Sequence, residues 1–173
     1  VYKRQGWYRG AFGIDGGFTE KWGKELMVNA IVYTDRGVLL STDESWLSSV
    51  GKILDNGIYF GEDRDDTIEY DFKPVKQAEK SFNLIPDYSA PIRTIEERGG
   101  KVIITPKHEK VIDFGQNGAG VVRFKNHFPK GTKIILRYSE VMQDGCFYRD
   151  NLRTARAEYH YVSDGNTAVI EPY

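Results

Sequence analysis

Short runs in which apolar and polar residues alternate recur through the sequence, and they constrain the fold more than any other feature. The runs are rich in β-branched and aromatic residues and are bounded by turn residues at short spacing. This is typical of strands rather than helices, and it predicts an all-β fold of sandwich type. The runs are Leu26–Thr34, Lys101–Pro106, Gly120–Asn126, Thr132–Val141 and Ala155–Ser163.

Short turn-forming stretches separate these runs. TDRG, FPKG, QDG and SDGN contain the Gly, Pro, Asn and Asp residues that favour hairpins and tight loops. The one helix candidate is Asp66–Ser81, which Pro74 interrupts. Because proline removes a backbone donor and clashes inside a helix, we expect this segment to form a short turn or a covering segment.

Composition changes between Asn83 and Glu97, where prolines occur among few strand-forming residues. Such a stretch is typical of a boundary between compact units. We therefore expect two antiparallel β-sandwich units of jelly-roll type, residues 1–85 and residues 90–173, with no sheet continuing across the junction.

The stretch VIDFGQNGAGVVRF, Val111–Phe124, contains letters of two nucleotide-site motifs, a kinase-like DFG and three closely spaced glycines. A kinase triplet needs a catalytic loop and a strand lysine upstream, and the sequence has neither. A phosphate loop must lead into a helix, but an alternating, strand-like run follows here. We therefore expect the glycines to mark a connection between strands and not a nucleotide site.

The overall composition excludes several partners. A net charge of −1 gives no field that would attract nucleic acid, and no run approaches the roughly 20 apolar residues of a membrane span. Cys146 is the single cysteine, so an internal disulfide is excluded. The histidines are scattered without paired spacing, so we expect no metal site from them: His108, His127 and His160.

Several motifs, in a fixed order, resemble those of a known family. The second half carries DFGQN from Asp113, an R-x-x-E pair at Arg137 and Glu140, and DNLRTA at Asp150–Ala155. The first half carries GWYRG, a Gly-Gly loop, STDESW and ILDNGIYFGE. Together these motifs resemble the bacterial α-L-rhamnosidases of glycoside hydrolase family 78.

The resemblance implies that residues 1–85 are that family's N-terminal β-sandwich without its first strands. Residues 90–173 would be the following β domain without its last strands. It further implies a non-catalytic accessory region of an enzyme that hydrolyses terminal α-L-rhamnosides with inversion, whose two carboxylates lie in a separate (α/α)6 barrel. The implied partners are that barrel and a rhamnose-containing glycan, and the chain alone is expected to be inactive.

Other functions stay open from the residues: a free-standing carbohydrate-binding, lectin-like β-sandwich module, or a structural β protein. Trp7, Tyr8, Arg9 and Trp22 are candidate sugar contacts, because aromatic faces stack on pyranose rings and arginine donates to hydroxyl groups. Core packing is the competing interpretation for the first three of them.

Two further groups of residues are singled out. By the resemblance, Asp113, Gln116 and Asn117 are domain-interface candidates at a strand-to-turn junction, where Asp and Asn also commonly bond their own turn. Calcium is allowed by the resemblance with no ligands placed, and the loop acids are expected to be solvated: Asp15, Glu20 and Asp55. An ion network at a strand end is expected among Asp150, Arg153, Arg156 and Glu158.

Overall fold

The computed structural model describes residues 27–57, 61–78, 83–86, 88, 90 and 93–172. These residues form β-strands and one short 3₁₀ helix, Asp150–Leu152, which confirms the predicted all-β class. No helix among them is long and apolar enough to cross a membrane. The strands are β1 (Ile31–Thr34), β2 (Gly37–Ser41), β3 (Leu47–Ser48), β4 (Ile53–Gly57), β5 (Gly61–Asp65), β6 (Lys73–Pro74), β7 (Lys101–Ile104), β8 (Lys110–Asp113), β9 (Phe124–Asn126), β10 (Lys133–Arg137), β11 (Val141–Gln143), β12 (Cys146–Tyr148), β13 (Glu158–Val162) and β14 (Ala168–Ile170).

One four-stranded sheet draws strands from both halves of the chain. Its order is β10–β13–β5–β4, with β13 antiparallel to β10 and parallel to β5. The expectation that no sheet continues across the junction is therefore wrong. Turn signals are local, and they cannot reveal a parallel pairing whose connection is long. The division into residues 1–85 and 90–173 stays a prediction.

Antiparallel pairs account for the other described strands: β1 with β2, β3 with β6, β7 with β8, β9 with β14, and β11 with β12. TDRG closes the first hairpin, with Thr34 opposite Gly37. Asp144 and Gly145 close the β11–β12 hairpin with φ angles of 52° and 72°, as a type I′ turn requires. Both turn predictions are confirmed.

Two predictions about irregular segments are also confirmed. Residues 66–78 contain turns and the two-residue strand β6, but no helix. The glycine-rich segment after β8 leads into β9, so it connects strands and opens no helix at which a phosphate could bind.

Two tyrosines of β13 form the centre of the core. Tyr159 and Tyr161 are each 1% exposed, and Ile170 packs against them. The ring of Phe124 meets both tyrosines edge-on, with centroids 6.4 and 5.7 Å away, a geometry that contributes about 0.5–1.5 kcal/mol beyond burial. Partly buried neighbours complete the cluster: Phe124, Ile134, Leu136 and Tyr138.

A buried amide joins the turn after β9 to the turn after β13. Asn126 is fully buried, and its Nδ2 donates to Ser163 Oγ at 2.9 Å and to the Asn166 carbonyl at 2.8 Å. Its Oδ1 accepts from the Phe128 backbone N–H at 3.2 Å. Because every one of these partners is a turn group, the amide fixes the shape of both turns.

Replacing Asn126 by alanine should lower the free energy of unfolding by about 2–3 kcal/mol, because the buried Ser163 hydroxyl and backbone groups of both turns lose their hydrogen-bond partner. Urea unfolding of the chain measures this. Asn117→Ala is the matched control, since Asn117 is exposed, and it should leave the midpoint unchanged. Equal midpoints for the two variants would contradict the role of Asn126.

Candidate functional site

The four-stranded sheet β10–β13–β5–β4, which we call the shared sheet, carries charged residues on both of its faces. On the face that holds Tyr161, Arg64 pairs with Asp66 through Nε–Oδ1 and Nη2–Oδ2 distances of 2.7 and 3.0 Å. Tyr161 Oη donates to Asp66 Oδ2 at 3.2 Å, and the guanidinium carbon of Arg64 lies 5.9 Å from the tyrosine ring centroid. Burial and the Asp66 carboxylate raise the pKa of Tyr161 to about 12, so this phenol is neutral and serves as a donor.

Glu62 is the deepest acid on this sheet, at 3% exposure. Asn56 Nδ2 donates to its Oε2 at 2.8 Å. Burial first, and then the charge of Glu62, raise the pKa of Tyr138 to about 12 and also raise the pKa of Tyr159. A carboxylate enclosed to this degree cannot reach a glycosidic oxygen in solution, so its position indicates a structural role.

On the opposite face, Asp63 holds two basic side chains. Arg156 donates from Nη2 and Nη1 to Oδ1 and Oδ2 of Asp63, at 2.8 and 3.1 Å. Nδ1 of His160 lies 3.0 Å from Asp63 Oδ1. Arg156 and Asp63 are 93 residues apart in sequence, so these contacts bind the first half of the chain to the second.

Glu158 lies on the same face and is contacted by three basic side chains. It accepts from Arg137 Nε at 3.1 Å and Arg149 Nη1 at 2.8 Å, and His160 Nε2 lies 2.6 Å from its Oε2. Burial alone would raise the pKa of Glu158, but the hydrogen bonds from these three side chains lower it to about 2. An acid held ionised in this way cannot donate a proton near neutral pH.

These residues form one unit, which we call the outer ion network: Asp63, Arg137, Arg149, Arg156, Glu158 and His160. The network expected among Asp150, Arg153, Arg156 and Glu158 is replaced by pairs with residues outside that group. Arg156 pairs with Asp63, and Glu158 pairs with Arg137 and Arg149. Arg153 and Asp150 instead meet through a backbone hydrogen bond of 3.3 Å. Asp63, Arg137, Arg149 and His160 were not predicted as members of this network. The alternation of EYHYV could have placed His160 beside Glu158, but no local signal could have placed Asp63 there.

The domain-interface candidates lie on the exposed turn that follows β8. Asp113 Oδ1 accepts from the Gly115 backbone N–H at 2.7 Å, which fixes the turn. Gln116 Oε1 accepts from Arg98 Nη1 at 2.7 Å, and Asn117 is exposed. The three residues therefore share one surface turn, and their interface role stays a prediction.

An apolar surface adjoins this turn. It comprises Val102, Ile104, Ile112 and Phe114, which are 57%, 63%, 49% and 39% exposed. Val102 and Ile112 are directly paired across β7 and β8, so they share one face of the hairpin. We call this set the β7–β8 surface. Contiguous exposed apolar groups of this kind mark surfaces that contact other protein.

The sugar-contact candidates Trp7, Tyr8, Arg9 and Trp22 lie outside the described residues, as do Asp15 and Glu20, and they stay predictions. Asp55 is described, and the expectation of a solvated loop acid is wrong for it. It is half-buried and lies on β4 opposite Asp63, because the segment pairs with β5 instead of forming a loop. Within the described part of the chain, no group of three or more His, Cys, Asp or Glu residues could hold a metal ion.

The chain matches two family models that together span it. Residues 1–105 match the α-L-rhamnosidase N-terminal domain, and residues 103–173 match the bacterial α-L-rhamnosidase concanavalin-like domain. A curated α-L-rhamnosidase from Streptomyces avermitilis is 27% identical over an alignment of 184 positions, which covers 95% of this chain and 18% of that protein.

Two solved structures have a similar fold. The α-L-rhamnosidase of Aspergillus terreus superposes with a TM-score of 0.80 at 30% identity, over 96% of this chain and 21% of that one. The Streptomyces avermitilis enzyme, solved with L-rhamnose, gives a TM-score of 0.69 at 25% identity, over 83% of this chain and 16% of that one. The chain thus spans about a fifth of the length of these relatives or less.

Replacing Glu158 by glutamine should flatten the loss of stability in acid. Because the folded-state pKa of about 2 lies below the ordinary 4.5, ionised Glu158 stabilises the fold above about pH 4.5, and this contribution is lost as the pH falls towards 2. From pH 5 to pH 2 the unmodified chain should lose about 1–3 kcal/mol more than the variant.

Urea unfolding at a series of pH values measures this difference. Glu140→Gln is the control, because Glu140 is exposed and accepts a long hydrogen bond of 3.5 Å from Asn151 Nδ2. Its curve should follow that of the unmodified chain. Parallel curves for Glu158→Gln and the unmodified chain would contradict the role given to Glu158.

Proposed function

The chain belongs to the α-L-rhamnosidase family, and we propose that it is a non-catalytic accessory β region of an enzyme that hydrolyses terminal α-L-rhamnosides. The observation that carries the proposal is the pairing of its acids, because Asp63, Asp66 and Glu158 each bind an arginine. An inverting glycosidase needs one protonated carboxyl group and one carboxylate that activates water. Hydrogen bonds from basic side chains lower the pKa of Glu158 to about 2. All three acids are engaged by arginine within the chain, which suits a structural role.

The proposed substrate class comes from the relatives, which are α-L-rhamnosidases, one of them solved with L-rhamnose. The proposed partner is the catalytic barrel that the motif resemblance implies. The matched models carry N-terminal and concanavalin-like domain descriptions, which supports a role beside a catalytic domain. A rhamnose-containing glycan would then be cleaved in the barrel and not on the described sheet.

We further propose that the β7–β8 surface and the turn after β8 face this barrel. The surface offers apolar side chains, and Asp113, Gln116 and Asn117 add polar groups at its edge. An apolar centre with a polar rim is the composition of protein–protein interfaces. Gln116 and Asp113 already have partners within the chain, so the turn is held in shape before any partner binds.

The purified chain should release no phenol from an aryl α-L-rhamnoside, whereas a polypeptide extended through the barrel should do so. The physical reason is that Asp63, Asp66 and Glu158 are engaged by arginines and Glu62 is enclosed, so they do not offer the acid and base pair that inversion requires. Release of the aryl group, followed by absorbance, measures the activity. Turnover by the chain alone that survives repurification and disappears on Glu140→Gln would overturn the accessory role.

The proposed interface has its own test. Ile104→Asp should leave the melting temperature of the chain alone nearly unchanged, because Ile104 is 63% exposed. In the extended polypeptide it should lower the melting temperature by several degrees, because a charge would be buried without a partner. Val169→Asp is the control, since Val169 is equally exposed on β14. Equal shifts for the two variants in the extended polypeptide would rule out this interface.

A further inference from the structure

Strand β5 lies in the interior of the four-stranded sheet, and one of its two neighbours, β13, is distant from it in sequence. It lies between β13 and β4, parallel to one and antiparallel to the other. Its residues belong to the region that the N-terminal domain model matches, and β13 and β10 belong to the region of the concanavalin-like model. Without β5, one whole edge of β13 would lose its hydrogen-bond partners.

The first residue of β5 is fitted to this position. Gly61 pairs with Glu158, and a Cβ atom on Gly61 would lie 1.8 Å from the Glu158 carbonyl oxygen. Its φ of +84° is also one that side chains rarely allow. Two constraints therefore require glycine at this position: the close approach of the two backbones and the positive φ of the residue itself.

Contacts on both faces then fix the register of β5 on β13. The outer face carries the Arg156–Asp63–His160 contacts, and on the inner face Tyr161 Oη donates to Asp66. The backbone N–H of Asp66 also donates to the Val162 carbonyl at 3.0 Å. A shift of one residue would exchange the two faces and break all of these contacts.

We propose that β5 is a docking strand that makes the two family-model regions one cooperative folding unit, so that neither region is an autonomous domain. The surface it binds is the edge of β13. That edge accepts a strand with glycine opposite Glu158 and an acid opposite His160, within reach of Arg156. The proposal concerns the architecture of the chain and is independent of its enzymatic role.

The test is amide hydrogen exchange on the full chain carrying Gly61→Ala. Protection of the β10 and β13 amides should fall at least about tenfold, because the variant expels β5 and opens the edge of β13. Gly51→Ala is the matched control, since a Cβ atom there meets nothing within 4 Å, and it should change protection less than about twofold. Global unfolding of Gly61→Ala, with the control intact, gives the same result, because β13 then loses protection as well.

Asp63→Asn is a milder variant that tests the proposal even if Gly61→Ala is insoluble. Asp63→Asn removes the carboxylate from Arg156 and His160, and it should lower β13 protection several-fold, whereas Asp71→Asn, in an exposed pair with Lys73, should not. Unchanged β10–β13 protection in Gly61→Ala or Asp63→Asn would overturn the proposal. So would two separate thermal transitions of the unmodified chain.

Discussion

Strand β13 bonds to a neighbouring strand along both of its edges, to β10 on one side and to β5 on the other. That position turns Tyr159 and Tyr161 into the core, where they meet Phe124 and Ile170. The same alternation turns Glu158 and His160 outwards to Asp63 and the arginines. Because a strand has only two faces, one pairing places both the apolar cluster and the outer ion network. The buried amide of Asn126 then holds the turn that follows β13.

A central sheet with this many charges is stable only if the charges are matched. Removing a carboxylate or guanidinium from water costs several kcal/mol unless close partners replace the lost hydration. The chain meets this requirement with bidentate pairs, Arg64–Asp66 and Arg156–Asp63. Such pairs stabilise the fold only modestly. A misaligned register would leave a charge without its partner, so the pairs help to specify the register of β5 on β13. The same matching engages both carboxylates with arginine, so their oxygens are not free to act on a substrate.

The sequence predicted the local features of the fold and missed the long-range one. Alternation predicted β7, β10 and β13, because side-chain period follows directly from strand geometry. Turn residues predicted the β1–β2 and β11–β12 hairpins, since positive φ limits which residues fit. The β5–β13 pairing was missed because GEDRD has no apolar face to predict a strand, and its partner lies far along the chain. Within the site, Glu158 and Arg156 were found and Asp63 was not, for the same reason. Trp7, Tyr8, Arg9 and Trp22 lie outside the described residues and stay predictions.

The shared sheet and the β7–β8 hairpin differ in how many of their side chains find packing or ion-pair partners within the chain. On the sheet, Tyr159 and Tyr161 are packed, and Asp63 and Glu158 pair with arginines. On the hairpin, Val102 and Ile112 face solvent, and two strands alone are marginally stable in water. An isolated hairpin gains little from cross-strand pairs of about 0.2–1 kcal/mol each. Covering its apolar face at roughly 25 cal/mol per Å² would add far more. The relatives compared above are about five times longer than this chain, and packing of additional polypeptide on the hairpin face would bury apolar side chains that face solvent here.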